Sequence, residues 1–480
     1  MTNPSSVLRD PEQLRAWGYK IVDRFVDAFV DESVDPVLPQ VTAEELSKRF
    51  GASLPRAGAS VDVVLGDMLE LMDGTTRKNG HPGFLAYVCS SADPLGVLAD
   101  FWISALNQNV TAWRSAPGAT SLELQVVRWL SELVGFDGEH GMLTSGGSMA
   151  NSTALAAALQ AAAKRQGKAL EDLLPMIRVY LSTEAHLSLR KAFALYGVRS
   201  ENIQVMPVDG ERRLDVEALR LQIAADAEDG FIPACVCASA GTVNTGAIDP
   251  LEEIAELCGS LGLWFHIDGA YGAPAAATAE YASLRDAFSR ADSLSIDPHK
   301  WLFCPMGVGC ILIRDRAITE ATFRFDSAYT TDADEPGLDR FAFFEHGLEM
   351  SRRARAVKVW TVLRAFGADG VGAEVSRNIE MRRELDRRVE REDRLEGLGS
   401  GLSVACFRYR TQVDGGEDAV NRSIMDRLNQ GGSFYLSPTT LNGQFCLRIC
   451  IVNFRTTSEH LECLLDEVLR LGDDLEKRNL

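Results

Sequence analysis

Hydrophobic and polar residues form two different patterns along the chain, and the first has the periodicity of a helix. From Leu14 to Phe29 apolar residues recur at the spacing of one helix face, which predicts an amphipathic helix. Residues 1–90 contain further helical stretches and proline-containing joints, but no series of strand-like runs. A helical segment with apolar faces and no sheet of its own must pack on something else, and we expect a second subunit.

The second pattern begins near residue 110, where short apolar runs alternate with helical patterns up to about residue 315. The runs are 141–144, 177–182, 203–208, 232–239, 263–268, 293–297 and 307–313. Helical patterns such as 150–164 and 251–259 separate most of them, which predicts a mostly parallel, seven-stranded α/β sheet with helices on both faces. Ligands bind at the carboxyl ends of such strands, and Ser239, Asp268 and Lys300 fall at or just beyond such ends.

The C-terminal part predicts a smaller α+β unit. A basic helical pattern covers 351–366, and the strand candidates that follow are 402–409, 433–437 and 444–451. An acidic stretch with proline and glycine inside 326–345 predicts a mobile loop. We therefore expect an N-terminal helical segment over 1–90, a large domain over 91–360 and a small C-terminal domain over 361–480.

Composition and charge argue against some classes of binding partner. The chain has 480 residues, of which 46% are hydrophobic and 24% charged, and a formal net charge of −19. Nucleic acid and anionic membrane surfaces would repel such a protein. The polar N-terminus lacks the apolar core of a signal peptide, and no apolar run approaches the ~20 residues of a membrane span. Ten scattered cysteines without a C-x-x-C pair predict buried free thiols in a reducing cytoplasm.

Two runs carry the most specific chemistry: WFHIDGAY, which contains Asp268, and DPHKW, which contains Lys300. Either residue alone has an ordinary explanation, a helix cap or ion pair for the aspartate and a solvated charge for the lysine. Together they match the needs of pyridoxal phosphate, whose aldehyde forms an imine with a lysine and whose ring nitrogen is kept protonated by an aspartate. The apolar neighbours of Lys300 further predict an amine that loses its proton easily.

Further residues fit the same cofactor. Gly147, Ser148 and Met149 lie where a strand gives way to an Ala-rich helix, so they suit a phosphate, although a tight turn would look the same. His186 follows a strand and could stack on the cofactor ring, with Ala270 on the opposite face. His299 could serve the phosphate or a substrate carboxylate. The seven histidines form no H-x-x-H or His/Cys cluster, so we expect no catalytic metal.

The order of these motifs resembles the group II pyridoxal-phosphate-dependent amino-acid decarboxylases, which include aromatic-L-amino-acid, histidine and glutamate decarboxylases. The resemblance runs from about residue 10 to the C-terminus and includes residues 81–87 (HPGFLAY) and the loop 323–329 (FRFDSAY). It implies a fold-type-I homodimer whose N-terminal segment is a flap and whose active site lies at the interface. The cofactor-binding residues that it implies are Gly147, Ser148, Met149, His186, Ser239, Asp268, Ala270, Asp297, His299 and Lys300.

The resemblance also implies catalytic roles for Lys300, Asp268, His186 and Tyr329, the last as the proton donor to Cα. On the substrate side it implies His81, Tyr87, Thr111 and Ser351. The expected reaction is decarboxylation of an L-amino acid with an aromatic or other bulky hydrophobic side chain. An aldehyde synthase is the alternative, but those relatives carry phenylalanine where this chain has Tyr329. Another fold-type-I lyase or aminotransferase and a cofactor-bound but inactive protein are the remaining alternatives.

Several positions depart from the family pattern. Asp297 stands where animal members have asparagine, and a carboxylate there repels a phosphate unless its backbone N–H or a bound cation makes the contact. Residues 110–113 (VTAW) lack the phenylalanine that aromatic decarboxylases place against the substrate ring, so we expect a side-chain pocket that is wider or suited to something other than catechols. Ser351 occupies a position where serine in plant members accompanies tyrosine-type specificity.

Overall fold

The computed structural model describes residues 10–30, 36–138, 140–325, 341–412 and 416–477. Its α-helices, numbered in chain order, are α1 Pro11–Val30, α2 Ala43–Phe50, α3 Val61–Asp73, α4 Pro94–Leu106, α5 Pro117–Val134, α6 Gly147–Gln166, α7 Leu170–Leu173, α8 Leu187–Leu195, α9 Val216–Glu228, α10 Leu251–Leu261, α11 Leu284–Phe288, α12 Arg316–Phe323, α13 Ala356–Arg391, α14 Glu417–Gly431 and α15 Ser458–Lys477. Its strands are β1 His140–Thr144, β2 Ile177–Ser182, β3 Ile203–Met206, β4 Ile232–Ser239, β5 Trp264–Asp268, β6 Ser293–Ile296, β7 Gly309–Ile313, β8 Leu395–Gly401, β9 Val404–Tyr409, β10 Ser437–Leu441 and β11 Gln444–Cys450.

The seven predicted runs of the central region form one seven-stranded sheet in the order β1-β7-β6-β5-β4-β2-β3. Strands β3, β2, β4, β5 and β6 are parallel, while β7 runs antiparallel to both β1 and β6. Every residue of β1, β5, β6 and β7 is buried, because helices cover both faces. The predicted mostly parallel sheet is confirmed, with each strand boundary within two residues of the expected one.

Helix α6 lies across this sheet and begins beside the site. Its buried face consists largely of alanines, among them Ala150, Ala154, Ala157 and Ala158. Such small side chains let the helix backbone approach the strands closely, so α6 packs on β1, β4, β5, β6 and β7. The first turn of the helix is thereby held over the carboxyl ends of β4 and β5.

A second, antiparallel sheet of order β10-β11-β9-β8 is covered by α14 and α15. The predicted strand 433–437 is wrong, because that stretch pairs elsewhere: Tyr435 exchanges backbone hydrogen bonds with Gly83 and Leu85. Strand β8 escaped prediction because its LEGLGSG sequence contains three glycines and a bulge, which hide the alternation of a strand.

The long helix α13 starts later than the sequence predicts. Arg352 lies before it, with its backbone N–H donating to Asn109 and its buried guanidinium donating to Glu123 and to the carbonyls of Val110 and Leu143. These bonds hold residues 351–355 in a non-helical path. Near its start α13 contacts α4 and α5, is broken at Gly367 (φ 67°, ψ 172°), and then continues to β8.

The first three helices contribute no buried residue to the core. None of the residues of α1, α2 or α3 is buried. Large apolar side chains on them face solvent, including Tyr19 at 64%, Val26 at 47% and Val64 at 52% exposure. Within the described part of the chain, no helix combines the length and apolar character that crossing a membrane requires.

Candidate active site

A cavity of about 420 Å³ opens at the carboxyl ends of β4, β5 and β6, against the first turn of α6. It brings together all ten residues that the sequence predicts to hold the cofactor: Gly147, Ser148, Met149, His186, Ser239, Asp268, Ala270, Asp297, His299 and Lys300. These residues are separated by up to 153 positions in the chain. The sheet topology assembles them, since Ser239 on β4 pairs directly with Asp268 on β5.

Lys300 is the cation of this cavity. Its Nζ lies 3.0 Å from Asp297 Oδ2, and its side chain remains 23% exposed. Burial acts to lower the pKa of Lys300, but the carboxylates of Asp297 and Asp268 outweigh burial and raise that pKa above its usual value. The expectation that apolar neighbours favour an easily deprotonated amine is therefore wrong for this arrangement, because two anions stand nearby.

Asp268 is the last residue of β5, and its buried carboxylate accepts three hydrogen bonds. Its Oδ1 accepts from Ser295 Oγ and from the backbone N–H of Ala270, each at 3.2 Å, and its Oδ2 accepts from Asn151 Nδ2 at 2.9 Å. Burial acts to raise the pKa of Asp268, but the charge of Lys300, followed by His266, lowers it below the usual value. The residue is therefore held as an anion, as a partner of a protonated ring nitrogen must be.

The turn that leads into α6 forms a cradle for an anion. The helix dipole favours negative charge at the start of this 20-residue helix, and since the Met149 N–H donates to the Gly146 carbonyl at 3.0 Å, the backbone N–H groups of Gly147 and Ser148 are the ones that can face an anion. The cradle is tight, since a Cβ on Gly147 would lie 2.8 Å from Asp297 Oδ2 and 3.2 Å from Ala270 Cβ. The turn therefore offers an anion its backbone N–H groups, while the Asp297 carboxylate stands close to one side of it.

Asp297 lies beside this cradle with its side chain only 3% exposed. Its backbone N–H donates to the carbonyl of Ala270 at 3.1 Å, so the idea that this N–H binds the phosphate is wrong. The cation next to its carboxylate is Lys300, with His299 Nε2 farther away at 3.8 Å. Asp297 Oδ1 is buried and has no hydrogen-bond partner among the described residues, so it can accept from a donor on a ligand.

His186 lines the same cavity and caps the start of α8. Its Nδ1 lies 2.7 Å from Ser188 Oγ and accepts from the Ser188 backbone N–H at 3.3 Å. On the other side of the site, His299 Nδ1 lies 2.5 Å from the carbonyl of Val308. Burial lowers the pKa of His299, against the opposing charge of Asp297. Both rings are thus fixed by short local contacts.

The four residues predicted on the substrate side do not line this cavity. His81 is partly buried and its Nδ1 accepts from the backbone of Gly83 at 2.9 Å, while Ser351 is exposed. Tyr87 has a left-handed backbone (φ 58°) and a side chain that is 49% exposed. The Thr111 carbonyl accepts from the Phe343 backbone at 2.9 Å. Tyr329, the predicted proton donor, lies outside the described residues.

Three polar residues that the sequence analysis did not assign also belong to the site. Asn151 lines the cavity and donates to Asp268, while Ser295 donates to the other carboxylate oxygen. His266 contacts Asn151 from below. The sequence does contain signals for two of them. His266 lies two positions before Asp268 on the same strand, so both side chains share one face, and Asn151 is a polar residue inside an alanine-rich helix.

A lysine, an aspartate and a helix-terminal anion cradle in one cavity, at the strand ends of a mostly parallel seven-stranded sheet, define a pyridoxal-phosphate enzyme of fold type I. The residues fit that cofactor on independent grounds, since an anionic Asp268, an amine and an anion cradle are all present. Among the described residues no cluster of potential metal ligands occurs.

The chain matches the pyridoxal-dependent decarboxylase conserved domain over residues 44–410 and therefore belongs to that family. It is 33% identical over 469 residues to an aromatic-L-amino-acid decarboxylase of Bacillus atrophaeus, spanning 97% of this chain and 96% of that protein. It is 28% identical over 464 residues to a phenylacetaldehyde synthase of Arabidopsis thaliana, spanning 94% of each. Its fold matches the crystal structure of Oryza sativa TDC with PLP and tryptamine with a TM-score of 0.91 and 25% identity, over 99% of this chain and 100% of that one. The protein is a pyridoxal-phosphate-dependent amino-acid decarboxylase.

Proposed function

We propose that this enzyme decarboxylates an aromatic L-amino acid to the corresponding amine. The observation that carries the proposal is the lining of the cavity, where Val88, Met149, Val243 and Met306 supply apolar surface. Among the described residues that line it, no arginine occurs and Lys300 is the one lysine. Within one chain's part of the site, a side-chain carboxylate would therefore find no arginine and no second lysine, whereas an aromatic ring would find apolar contacts. The substrates named for the similar proteins agree with this choice.

The roles of the residues follow from their contacts. Pyridoxal phosphate, when bound, supplies the sink for the electrons that departing carbon dioxide leaves behind. Lys300 is the amine that would hold its aldehyde, and Asp268 would hold a proton on the ring nitrogen. The first turn of α6, at Gly147, Ser148 and Met149, would bind the phosphate. His186 would lie against the ring, and Ser239 and Ala270 would complete its surroundings.

Tyr329 would donate the proton to Cα, which makes the amine rather than the aldehyde the product. A phenol with its usual pKa of about 10 keeps its proton near neutral pH and is a suitable acid. The experiment is product analysis in air with the parent and Tyr329→Phe. We expect amine from the parent, and aldehyde, ammonia and peroxide from the variant. Unchanged amine formation at an unchanged rate would remove Tyr329 from the reaction.

We further propose that the site is completed by a second copy of the chain. The predicted substrate-side residues do not line the cavity of their own chain, and α4 exposes the apolar side chains Leu98, Phe101 and Trp102 at 43%, 59% and 58%. Large apolar side chains exposed together on one helix face are typical of an interface. The three-part division at residues 90 and 360 and a cytoplasmic location, which ten free cysteines support, stay predictions.

Mixing two inactive variants tests the shared site. Lys300→Ala and Thr111→Arg homodimers should each be inactive. A mixed dimer has one site that combines an intact Lys300 with an intact Thr111 from the other copy. Random exchange should restore roughly a quarter of the parent activity if two-fold dimers form. Sedimentation as an active monomer, or no recovery after proven exchange, would contradict the shared site.

The substrate class is tested by carbon dioxide release from a panel of L-amino acids. The panel should include tyrosine, tryptophan, phenylalanine, histidine and glutamate, with Lys300→Ala as the control for uncatalysed release. We expect release from at least one aromatic substrate at a kcat/KM at least about 100-fold above that for glutamate, since an unpaired carboxylate would have to be desolvated. Preference for glutamate would refute the proposed substrate class.

A further inference from the structure

A continuous chain of hydrogen bonds runs beneath the site, from the core to Asp268. Trp264 Nε1 donates to Ser293 Oγ at 2.9 Å, and Ser293 Oγ lies 2.9 Å from His266 Nδ1. His266 Nε2 lies 3.1 Å from Asn151 Oδ1, and Asn151 Nδ2 donates to Asp268 Oδ2 at 2.9 Å. Trp264 is 8% exposed and the other four residues are at most 7% exposed. Five polar side chains are thus linked with no solvent between them.

Sheet register explains why these side chains meet. Within β5, His266 and Asp268 are two positions apart and point to the same face. On the neighbouring strand β6, Ser293 pairs with His266 and Ser295 pairs with Asp268. Strand β6 therefore brings one hydroxyl to each of the two functional side chains on β5. Asn151, on the helix that covers this face, bridges the two pairs.

The direction of every bond in the chain can be assigned. A carboxylate only accepts, so the Asn151 amide must turn its nitrogen to Asp268 and its oxygen to His266. His266 must then carry its proton on Nε2, and its Nδ1 accepts from the Ser293 hydroxyl. Trp264, which only donates, supplies the proton that Ser293 Oγ accepts. The reversed amide would oppose two acceptors at 2.9 Å.

The same amide reaches the second group that touches the cofactor site. The other hydrogen of Asn151 Nδ2 goes to Ser188 Oγ at 3.1 Å, so the Ser188 hydroxyl proton is left for His186 Nδ1, 2.7 Å away. The Ser188 backbone N–H also points at this nitrogen. His186 therefore carries its proton on Nε2.

We propose that Asn151 is a positioning residue of the decarboxylase, which His266 orients so that one amide fixes both the Asp268 carboxylate and the donor pattern of His186. The proposal rests on the proposed function for the ring-nitrogen role of Asp268. Asn151 lines the cavity, but its role does not require contact with the reacting atoms. It acts by holding Asp268 Oδ2 and, through Ser188, by leaving Nε2 as the N–H of His186.

Histidine side-chain nitrogens report this arrangement directly by NMR, with or without cofactor. The chain has seven histidines, and ¹⁵N-histidine labelling with His266→Phe and His186→Phe spectra assigns the two signals. In the parent enzyme both rings should show a protonated Nε2 and an unprotonated Nδ1. In Asn151→Leu the His266 signals should move towards a mixture of the two tautomers. A proton on Nδ1 of His266 in the parent would overturn the proposal, whatever the substrate proves to be.

Kinetics test whether the arrangement matters for the reaction. With the substrate that the panel identifies, Asn151→Leu should lower kcat on the order of 10-fold and change KM less than about twofold, because the amide acts on Asp268 and not on substrate. The affinity of cofactor-free protein for pyridoxal phosphate should also fall about 10-fold. Ser293→Ala, a smaller change that removes the donor to His266 Nδ1 but leaves the Asn151 amide in place, should keep the His266 proton on Nε2 and lower kcat less.

Asn421→Leu is the matched control, because Asn421 is an equally buried amide in the small domain, bonded to the Tyr409 backbone. Both asparagine variants should lose thermal stability, but the control should keep the histidine tautomers and kcat of the parent. A parent-like kcat in folded Asn151→Leu would overturn the positioning role. If Asp268 does not serve the ring nitrogen, the tautomer would still shift while cofactor affinity stayed unchanged, which separates that failure from this one.

Discussion

Replacing Asp268 by asparagine separates the chemical role of this residue from its structural one. The carboxylate accepts three hydrogen bonds, from Ser295, Ala270 and Asn151, and donates none. An amide in its place must turn its N–H groups towards one of these donors. Whichever way it turns, one buried donor faces another, which should cost about 1–3 kcal/mol of unfolding free energy.

The chemical cost should be larger than the structural one. Losing the anion removes the group that favours a protonated ring nitrogen, and several kcal/mol of transition-state stabilisation corresponds to about 100-fold or more in kcat. Removal of the charge also takes away one of the two carboxylates that raise the pKa of Lys300. The assays are steady-state decarboxylation and thermal or urea unfolding of the same preparations.

A double variant supplies the control. In Asn151→Asp/Asp268→Asn the carboxylate and the amide exchange places. The introduced carboxylate can accept from His266 Nε2 and from Ser188, and the introduced amide can accept from Ser295 and Ala270 while donating to its neighbour. We expect most of the lost stability to return while kcat stays about 100-fold or more below the parent. Recovery of turnover by the exchange, or a single variant within a few-fold of the parent, would refute the reasoning.

Three further predictions concern Lys300, His140 and the buried ion pair of Glu123 with Arg352. Borohydride reduction of the enzyme with pyridoxal phosphate should place the label on the peptide that contains Lys300, and a label on another lysine would contradict the assignment. Burial lowers the pKa of His140 to about 4, below its value in the unfolded chain, so the unfolded state binds more protons and stability should decrease as pH falls from about 6.5 towards 4. His140→Gln should reduce that slope by up to about 1.4 kcal/mol per pH unit in urea titrations, and an unchanged slope would rule His140 out. Glu123→Gln, which takes the closest carboxylate from the buried Arg352 and leaves it only the more distant Glu349 at 3.8 Å among the described residues, should cost about 3–5 kcal/mol, whereas removal of the exposed Glu467 that pairs with Arg470 should cost less than about 1 kcal/mol.

Strands and the principal site residues were predictable because both depend on local patterns. Buried parallel strands are short apolar runs, and seven such runs became the seven strands of the large sheet. Asp268 and Lys300 follow the ends of strands, where parallel topology gathers side chains whatever their distance in the sequence. The ten predicted cofactor residues line one cavity for that reason.

The remaining features depend on contacts that no local pattern encodes. The bond between Asn151 and Asp268 joins residues 117 positions apart, and only the packing of α6 on the sheet creates it. The direction of the Lys300 pKa shift depends on whether burial or a carboxylate at 3.0 Å dominates, which requires distances. The prediction of a strand at 433–437 failed because Tyr435 bonds to the backbones of Gly83 and Leu85 and not to the small sheet, a partner that no local pattern specifies.

Two aromatic residues connect the segments that carry Asp268 and Lys300 to the small sheet. Tyr271 follows Asp268 by three positions and Trp301 directly follows Lys300, and their rings stack at 4.8 Å with 20° between the planes. The Tyr271 hydroxyl accepts from the backbone N–H of Ser403, between β8 and β9 of the small sheet, at 2.9 Å. Stacking of this kind contributes about 0.5–1.5 kcal/mol beyond burial. This stack therefore links the segments that carry Asp268 and Lys300, and the Tyr271 hydroxyl links the stack to both the backbone N–H and the side-chain oxygen of Ser403.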